Sequence, residues 1–179
     1  MAALDSRAAK APDAGTLLTV SDLVMGYPGD QGWKQVVKGV SLTLKRGEIL
    51  GLVGESGSGK SVSSSAIMNL IDMPPGRISS GEILLDGVDL LTMPLSARRE
   101  INGRKIAMIF QDPLSHLNPV YTVGWQIREA LTTHGTDSTK AQAEALRLLG
   151  RVGIPDPEQA LDKYPHEFSG GQRQRVMIA

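Results

Sequence analysis

The chain has 179 residues, enough for one sizeable domain or for part of a larger one. Lysine plus arginine balances aspartate plus glutamate at 19 each, so the sequence lacks the overall basic excess of a protein that binds nucleic acid or an acidic membrane surface. It has no cysteine, which excludes disulfides and thiolate metal sites, and no apolar run reaches the roughly 18 residues of a membrane span. Residues 1–15 are rich in alanine, lack the pattern of a secretion signal, and are expected to be a disordered leader.

The first predicted elements are two strands, over residues 17–27 and 36–44, where apolar side chains alternate with polar ones. Residues 48–53 (EILGLV) form a short, nearly continuous apolar run, which predicts a strand buried on both faces. A glycine-rich loop follows, and residues 60–71 predict a helix that is ended by the Pro-Pro-Gly segment after it.

Further along, residues 81–90 (GEILLDGVDL) predict a strand with an Asp-Gly turn inside it, and residues 105–110 (KIAMIF) predict a second buried strand. The pattern then changes, because apolar residues recur every four positions over residues 123–133 and 139–152, which predicts two helices. A last helix is expected to begin at residues 170–171. This succession of strands and helices favours an α/β fold.

Residues 54–61 (GESGSGKS) match the phosphate-loop pattern G-x-x-x-x-G-K-[ST] without departure. Glycines let backbone N–H groups turn inward around an anion, and the positive end of the following helix points at the same place. Lys60 is predicted to neutralise the β- and γ-phosphates, and the Ser61 hydroxyl to bind Mg²⁺. The alternative is a chance glycine loop with a solvated lysine, but the preceding strand and following helix are the context that the motif requires. The residues predicted to contact the nucleotide here are Gly54, Ser56, Gly57, Ser58, Gly59, Lys60, Ser61 and Val62.

A second glycine pair lies more than a hundred residues later, in residues 168–172 (FSGGQ). Two glycines and a serine at a helix start expose N–H groups that can face a γ-phosphate. A simple helix cap explains the same three residues and is favoured when they are considered alone. Their position after the phosphate loop, with Gln111 between the two motifs at the end of a predicted buried strand, favours the phosphate contact.

The order of these motifs resembles that of the ABC ATPases. Residues 168–172 are similar to the family's LSGGQ signature, with phenylalanine in place of the usual leucine, and residues 110–113 (FQDP) are similar to its Q-loop. The resemblance implies that Gln111 reaches Mg²⁺ and the attacking water, and that Tyr27 stacks on adenine, although a tyrosine ending a strand also serves as ordinary packing. In the family, the signature of one subunit contacts ATP held by a second subunit. The residues that would make this contact are Ser169, Gly170, Gly171 and Gln172.

The resemblance covers nearly the whole chain from about Thr16 onward and is to the peptide-importer branch of the family. The segments that carry it are GEILGLVGESGSGKSVSSSAIM, PPGRISSGEILLDG, KIAMIFQDPLSHLNPVYTVG and YPHEFSGGQRQRVMIA. It implies a nucleotide-binding domain over residues 16–179, with an α/β P-loop NTPase core, an antiparallel β subdomain and a helical subdomain over about residues 112–168. The C-terminal part of that core is expected to be missing from this sequence.

The activity implied by the resemblance is ATP hydrolysis that powers import of peptides or a related small solute, with ATP and Mg²⁺ as cofactors. The implied partners are two membrane-spanning permease subunits, a second ATPase subunit and, indirectly, a solute-binding protein, with no nucleic acid. The implied location is the cytoplasmic face of the plasma membrane. The first alternative is a non-functional remnant of such a subunit, and the second is a soluble ABC ATPase that acts on nucleic acid or ribosomes.

Three residues that the family uses for hydrolysis do not occur within these 179 residues: the Walker B aspartate, the catalytic glutamate and the switch histidine. The chain alone is therefore expected to be inactive, because water activation lacks a base. It is also expected to be poorly stable, because the resemblance implies that two missing strands lie between the two predicted buried strands, which are left without neighbours.

Two residues depart from the pattern of the branch. His116 stands where serine is common, and Trp125 replaces a common acidic residue. The resemblance places this region near the groove where a membrane subunit docks, so an exposed Trp125 would be a natural interface anchor. Packing of Trp125 against its own helix is the alternative.

Overall fold

The computed structural model describes residues 15–30, 32–110, 112 and 116–179. These residues form two compact units, one ending at Arg98 and the other beginning at Arg99. Residues 1–14 of the predicted leader lie outside the described residues, and so does Gln111 of the predicted Q-loop. No helix in the described part of the chain has the length and apolar character needed to cross a membrane.

The first unit is built on a four-stranded antiparallel sheet with strand order β2-β1-β3-β4. Its strands are β1 (Thr16–Gly29), β2 (Gly32–Lys45), β3 (Arg77–Leu85) and β4 (Val88–Asp89). The alternation seen in the sequence places one face of β1 in the core, where apolar side chains are buried. The buried residues of β1 include Leu18, Val20, Leu23 and Met25.

The predicted strand with an internal Asp-Gly turn is confirmed. β3 and β4 pair antiparallel through Leu85 and Val88, and the two residues between them are Asp86 and Gly87. Both adopt positive φ, 51° and 77°, which is the backbone that a tight hairpin turn with right-handed twist requires.

The strand predicted over residues 48–53 is not formed. Ile49 and Val53 are 97% and 95% exposed, and the segment joins no strand of the sheet. A strand buried on both faces needs neighbours that supply hydrogen bonds and cover its side chains, and the described residues provide none for this segment.

The strand predicted over residues 105–110 is likewise not formed. Its only pairing within the described residues is an isolated parallel bridge between Asn102 and Ile106. Ile109 is 60% exposed, so the apolar run is not covered. The described residues therefore do not assemble a parallel sheet.

Helix α1 (Lys60–Ile67) begins where the sequence predicts but ends earlier, before the prolines at positions 74–75. Asn69 takes a left-handed backbone with φ 55°. Its N–H donates to Ala66 O at 3.1 Å, and the N–H of Leu70 donates to Ser65 O at 2.8 Å. This pair of bonds is a Schellman motif, which satisfies the last carbonyls and stops the helix without proline. Helix α2 (Leu95–Ile101), which the sequence analysis does not predict, ends near the boundary between the units.

The second unit has helices where the sequence predicts them, over residues 123–133, near residues 139–152 and from residue 170. Its helices are α3 (Val123–Thr133), α4 (Ser138–Arg151), α5 (Pro157–Ala160), a 3₁₀ turn (Pro165–Glu167) and α6 (Gly170–Ile178). In α4 the i, i+4 series Ala141, Ala145 and Leu149 is fully buried, so the periodicity in the sequence corresponds to the core-facing side. The core of the unit consists of Val123, Ala145, Leu149, Ile154, Ala160, Leu161, Phe168 and Val176.

Candidate nucleotide-binding site

The loop before α1 has the backbone that its glycines make possible. Gly57 and Gly59 have φ values of +81° and +91°, a region that disfavours other residues. A Cβ at position 59 would stand 2.9 Å from the backbone oxygen of Val36 in β2, so a side chain there would collide with the sheet. A Cβ at position 57 would meet nothing within 4 Å. The loop is therefore anchored on the sheet at Gly59 and open at Gly57.

The first turn of α1 presents unpaired backbone donors. The N–H of Ser63 donates to Gly59 O at 2.8 Å and is the first amide of the helix to find a backbone acceptor. Within the described residues, the amides of Lys60, Ser61 and Val62 have no backbone acceptor, as helix geometry dictates for a first turn. These donors and the helix dipole favour an anion at this end of α1.

Lys60 holds its ammonium group against the same loop. Its Nζ donates to Gly54 O and Glu55 O, both at 2.7 Å, and to Ser58 Oγ at 3.3 Å. All three acceptors are neutral atoms of the loop, so phosphate oxygens can replace them with stronger, charge-assisted bonds. Ser61 is exposed on the first turn of the helix, where its hydroxyl is free to face a metal ion. The structure thus fits the predicted phosphate site.

The other residues predicted in this segment lie in the same short stretch. Ser56, Gly57 and Ser58 are exposed, and Val62 is half-buried on the helix. The N–H of Ser58 donates to Glu55 O at 3.2 Å, which closes a turn within the loop.

Tyr27 lies near the end of β1, paired with Lys34 of β2, and is half-buried. Its Cε1 is 2.9 Å from the position that a Cβ on Gly76 would occupy, so the ring packs directly on that glycine. This contact accounts for the tyrosine as a packing residue. Stacking of Tyr27 on adenine stays a prediction.

The second predicted anion site is the start of α6. Ser169 is the N-cap residue, and Gly170 and Gly171 follow it with open space where a Cβ would stand. Ser169, Gly170 and Gly171 are exposed, whereas Gln172 is half-buried. The amides of a first helical turn with no side chains over them are accessible to an anion from outside the chain.

Phe168, which stands where the signature usually has leucine, anchors this turn in the core. The side chain is 6% exposed and belongs to the core of the second unit, with Leu149 and Val176. Because Phe168 is buried in this core, it holds in place the start of α6, where the exposed glycines lie. The departure from the usual leucine is therefore a change of core packing within the apolar class.

One aromatic contact was missed by the sequence analysis. Tyr121 and Trp125 stack with ring centroids 4.0 Å apart, and they are 41% and 42% exposed. The signal was present, because two aromatic residues four positions apart at a helix start lie on one side of it. His116, the other departure, stacks on Phe110 at 3.8 Å, and its Nδ1 lies 2.7 Å from Asp112 O.

A glycine-rich loop that opens a helix and holds a lysine ammonium defines a P-loop nucleotide-binding fold. Comparison with known proteins gives the family: a family model described as "ABC transporter" matches residues 37–179. The chain belongs to the ABC transporter family.

The curated relatives are transport proteins. The chain is 52% identical over 164 residues to the dipeptide transport ATP-binding protein DppD of Haemophilus influenzae, covering 91% of this chain and 49% of that protein. It is 50% identical over 164 residues to the oligopeptide transport ATP-binding protein OppD of Bacillus subtilis, covering 91% of this chain and 46% of that protein. The chain thus spans about half the length of the curated relatives it matches.

A solved structure shows the same fold. The dimeric structure of MJ0796, described as a bacterial ABC transporter cassette, superposes with a TM-score of 0.77 at 24% identity. The match covers 90% of this chain and 67% of that chain. The α/β P-loop fold of the ABC type, with its antiparallel sheet and helices, is therefore shown.

Proposed function

We propose that the chain is the ATP-binding part of a subunit that powers import of peptides, or of a related small solute, as part of an ABC transporter. The observation that carries this proposal is the phosphate loop around Lys60. It lies in a chain in which about half of the aligned residues are identical to those of peptide-transport ATP-binding proteins. The ATP-binding and peptide-transport roles are in the names of those relatives, and we extend them to this chain.

The loop would hold ATP by its phosphates. The amides of Gly57, Gly59 and the first turn of α1 face the anion, and Lys60 turns its ammonium from loop carbonyls to phosphate oxygens. Ser61 and Gln111 would bind Mg²⁺, and Tyr27 would support the adenine. When bound, ATP supplies the phosphoanhydride bond whose hydrolysis drives transport.

The signature would act on a neighbouring subunit. Ser169, Gly170 and Gly171 present hydroxyl and amide donors at the start of α6, and these donors suit the phosphate tail of a nucleotide held elsewhere. We therefore propose that two ATPase subunits pair so that the signature of each reaches the nucleotide of the other, which makes closure dependent on ATP.

The proposed partners follow from this role. They are two membrane-spanning permease subunits and, indirectly, a solute-binding protein, with the ATPase subunits on the cytoplasmic face of the plasma membrane. We also propose, from the helical subdomain expected over about residues 112–168, that Trp125 and its neighbour Tyr121 belong to the part that would meet a permease. The charge balance of the chain gives no support to the nucleic-acid alternative.

For the 179 residues alone, we propose nucleotide binding without appreciable hydrolysis. Lys60 and Ser61 can hold phosphates, but we assign no residue in the described part of the chain as the base for water activation. The exposed Ile49 and Val53 also leave the core of the first unit incomplete. A non-functional remnant would also lack hydrolysis but would bind nucleotide weakly or not at all, so equilibrium nucleotide binding separates the two alternatives.

An exchange of segments tests the transport role. Residues 16–179 are placed in DppD of Haemophilus influenzae in place of the segment they match, and dipeptide uptake is measured with that transporter's own permease. We expect uptake to be retained, and to be lost in the same chimera with Lys60→Met but not with Lys140→Met, an exposed lysine on α4. A chimera that assembles and binds ATP yet gives no uptake would contradict the proposal.

A further inference from the structure

The first unit contains a cavity that the nucleotide chemistry does not use. It has a volume of about 730 Å³ and lies beside β3, between the loop after α1 and the segment that leads into α2. Its walls are mainly apolar, with a few hydroxyl and amide groups. The residues that line it include Met73, Ser79, Ser80, Leu91, Met93 and Arg98.

Arg98 is a buried cation with unused donors in the wall of this cavity. The residue is 4% exposed, and its Nη2 donates to Ile67 O, the last residue of α1, at 2.7 Å. Its Nε and Nη1 are buried and have no hydrogen-bond partner among the residues that the structure describes. Buried guanidinium donors without an acceptor are rare because desolvation of a charge is costly, so these donors favour an acceptor supplied by a ligand.

The carboxylate of Asp89 does not satisfy these donors. Asp89 uses Oδ1 to accept the N–H of Leu91 at 2.9 Å, and no salt bridge joins Arg98 to a carboxylate in the described part of the chain. Burial lowers the pKa of Arg98, and the charge of Asp89 partly opposes this effect. The guanidinium therefore lies in an environment that favours an additional anion.

The chemistry of the cavity selects the kind of anion. The cavity lining holds one buried guanidinium, that of Arg98, and a second, that of Arg77, which is exposed to solvent. The buried guanidinium balances one negative charge, whereas a phosphate dianion would leave a second charge in the apolar part of the pocket. Apolar walls formed by side chains such as Met73, Leu91 and Met93 favour a ligand with an apolar body. We propose that this cavity binds small organic monocarboxylates, whose carboxylate accepts hydrogen bonds from Arg98 and whose apolar body fills the remaining space.

The site has a direct connection to α1. Arg98 bonds the final carbonyl of the helix whose first residue is Lys60, so a bound carboxylate and the phosphate loop act on opposite ends of one helix. The proposal does not depend on the transport role, because it rests on the cavity and on the unpartnered donors alone.

The test uses 4-phenylbutyrate as the probe and 4-phenyl-1-butanol as its neutral counterpart. The ¹⁵N-labelled 179-residue chain is titrated with each, and the Nε–H resonance of Arg98 is followed by NMR. We expect 4-phenylbutyrate to shift this resonance to saturation and the alcohol to bind at least about tenfold more weakly, because it cannot pair with the guanidinium. Inorganic phosphate should likewise bind at least about tenfold more weakly.

Substitutions distinguish a loss of ligand binding from a loss of folding. Arg98→Lys should weaken binding of 4-phenylbutyrate at least about tenfold, whereas Arg99→Lys, an exposed neighbour on α2, should leave it unchanged. Asp89→Asn keeps an oxygen for Leu91 N–H and should strengthen binding, because it removes the competing charge. Met93→Trp, which fills the cavity and keeps Arg98, should abolish binding even if Arg98→Lys does not fold.

Three results would overturn the proposal. They are an Arg98 resonance that does not move with 4-phenylbutyrate, equal affinity for the alcohol, and undiminished binding by Met93→Trp. Tighter binding of phosphate than of 4-phenylbutyrate would show that the assignment to monocarboxylates is wrong.

Discussion

Ser169 and Gln172 exchange two hydrogen bonds across the first turn of α6. The N–H of Ser169 donates to Gln172 Oε1 at 2.9 Å, and the N–H of Gln172 donates to Ser169 Oγ at 3.3 Å. This is a capping box, with glutamine at the third helical position. The residues proposed to contact a neighbour's nucleotide therefore also stabilise the helix start, and the two roles can be separated by substitution.

Gln172→Ala should lower the free energy of unfolding by about 1 kcal/mol, because one half of the capping box is lost. Gln172→Glu should leave the free energy of unfolding within about 0.5 kcal/mol of the parent, because glutamate accepts the same bond and favours a helix N-terminus. Urea denaturation of the DppD chimera carrying each substitution measures both changes.

The same pair of variants tests the proposed trans contact. In the chimera, Gln172→Glu should reduce ATP-dependent pairing of subunits, because a carboxylate would face the phosphate tail. Gln172→Ala serves as the control without added charge. If Gln172→Glu pairs as well as the parent does, Gln172 contributes to the cap only.

Phe168→Ala should destabilise the second unit by about 3–5 kcal/mol, because it removes a large side chain from a closely packed core. Phe168→Leu, which restores the residue usual in the signature, should cost less than about 1.5 kcal/mol. Denaturation of the two variants under identical conditions gives the comparison. A small loss for Phe168→Ala would mean that Phe168 does not anchor the turn.

Trp125→Ala should weaken assembly of the chimera with its permease while changing thermal stability little, since Trp125 is 42% exposed and stacks on Tyr121, which is itself 41% exposed. Trp33→Ala is a matched control, because Trp33 is 43% exposed and lies in β2 of the first unit. Co-purification with the permease measures assembly. Unchanged assembly of Trp125→Ala would show that Trp125 packs on its own helix and does nothing more.

The 179-residue chain should release negligible phosphate from ATP and should lack a sharp, cooperative thermal transition. Ile49 and Val53 are almost fully exposed to solvent. A dye that binds exposed apolar surface should therefore bind to the folded chain. Phosphate release and differential scanning calorimetry are the measurements. A cooperative melt together with turnover would contradict both expectations.

Patterns that depend on neighbouring residues were predictable from the sequence. Helix α4 followed from the spacing of Ala141, Ala145 and Leu149, and the β3–β4 hairpin followed from its Asp-Gly turn. The phosphate loop was recognisable because eight adjacent residues define it. In each case the information lies within one turn or one element.

Features that depend on distant residues were not predictable. An apolar run such as residues 48–53 specifies a preference for burial but not the partner that must provide it, and the described residues provide none. The end of α1 was placed too late because a Schellman motif at Asn69 acts before the prolines. The buried donors of Arg98 had no signal in the sequence, since burial of a charged side chain depends on the surrounding fold.

The measurement that bears most directly on nucleotide binding is an NMR titration of the ¹⁵N-labelled chain with ATP and Mg²⁺. We expect saturating shifts of the Gly57, Gly59, Lys60 and Ser61 amides with ATP, and almost none with adenosine, because the loop binds phosphates. Lys60→Met should weaken ATP binding at least about tenfold, whereas Lys140→Met should not. Equal shifts with adenosine, or unchanged affinity for ATP in Lys60→Met, would contradict the assignment of this loop as the nucleotide site.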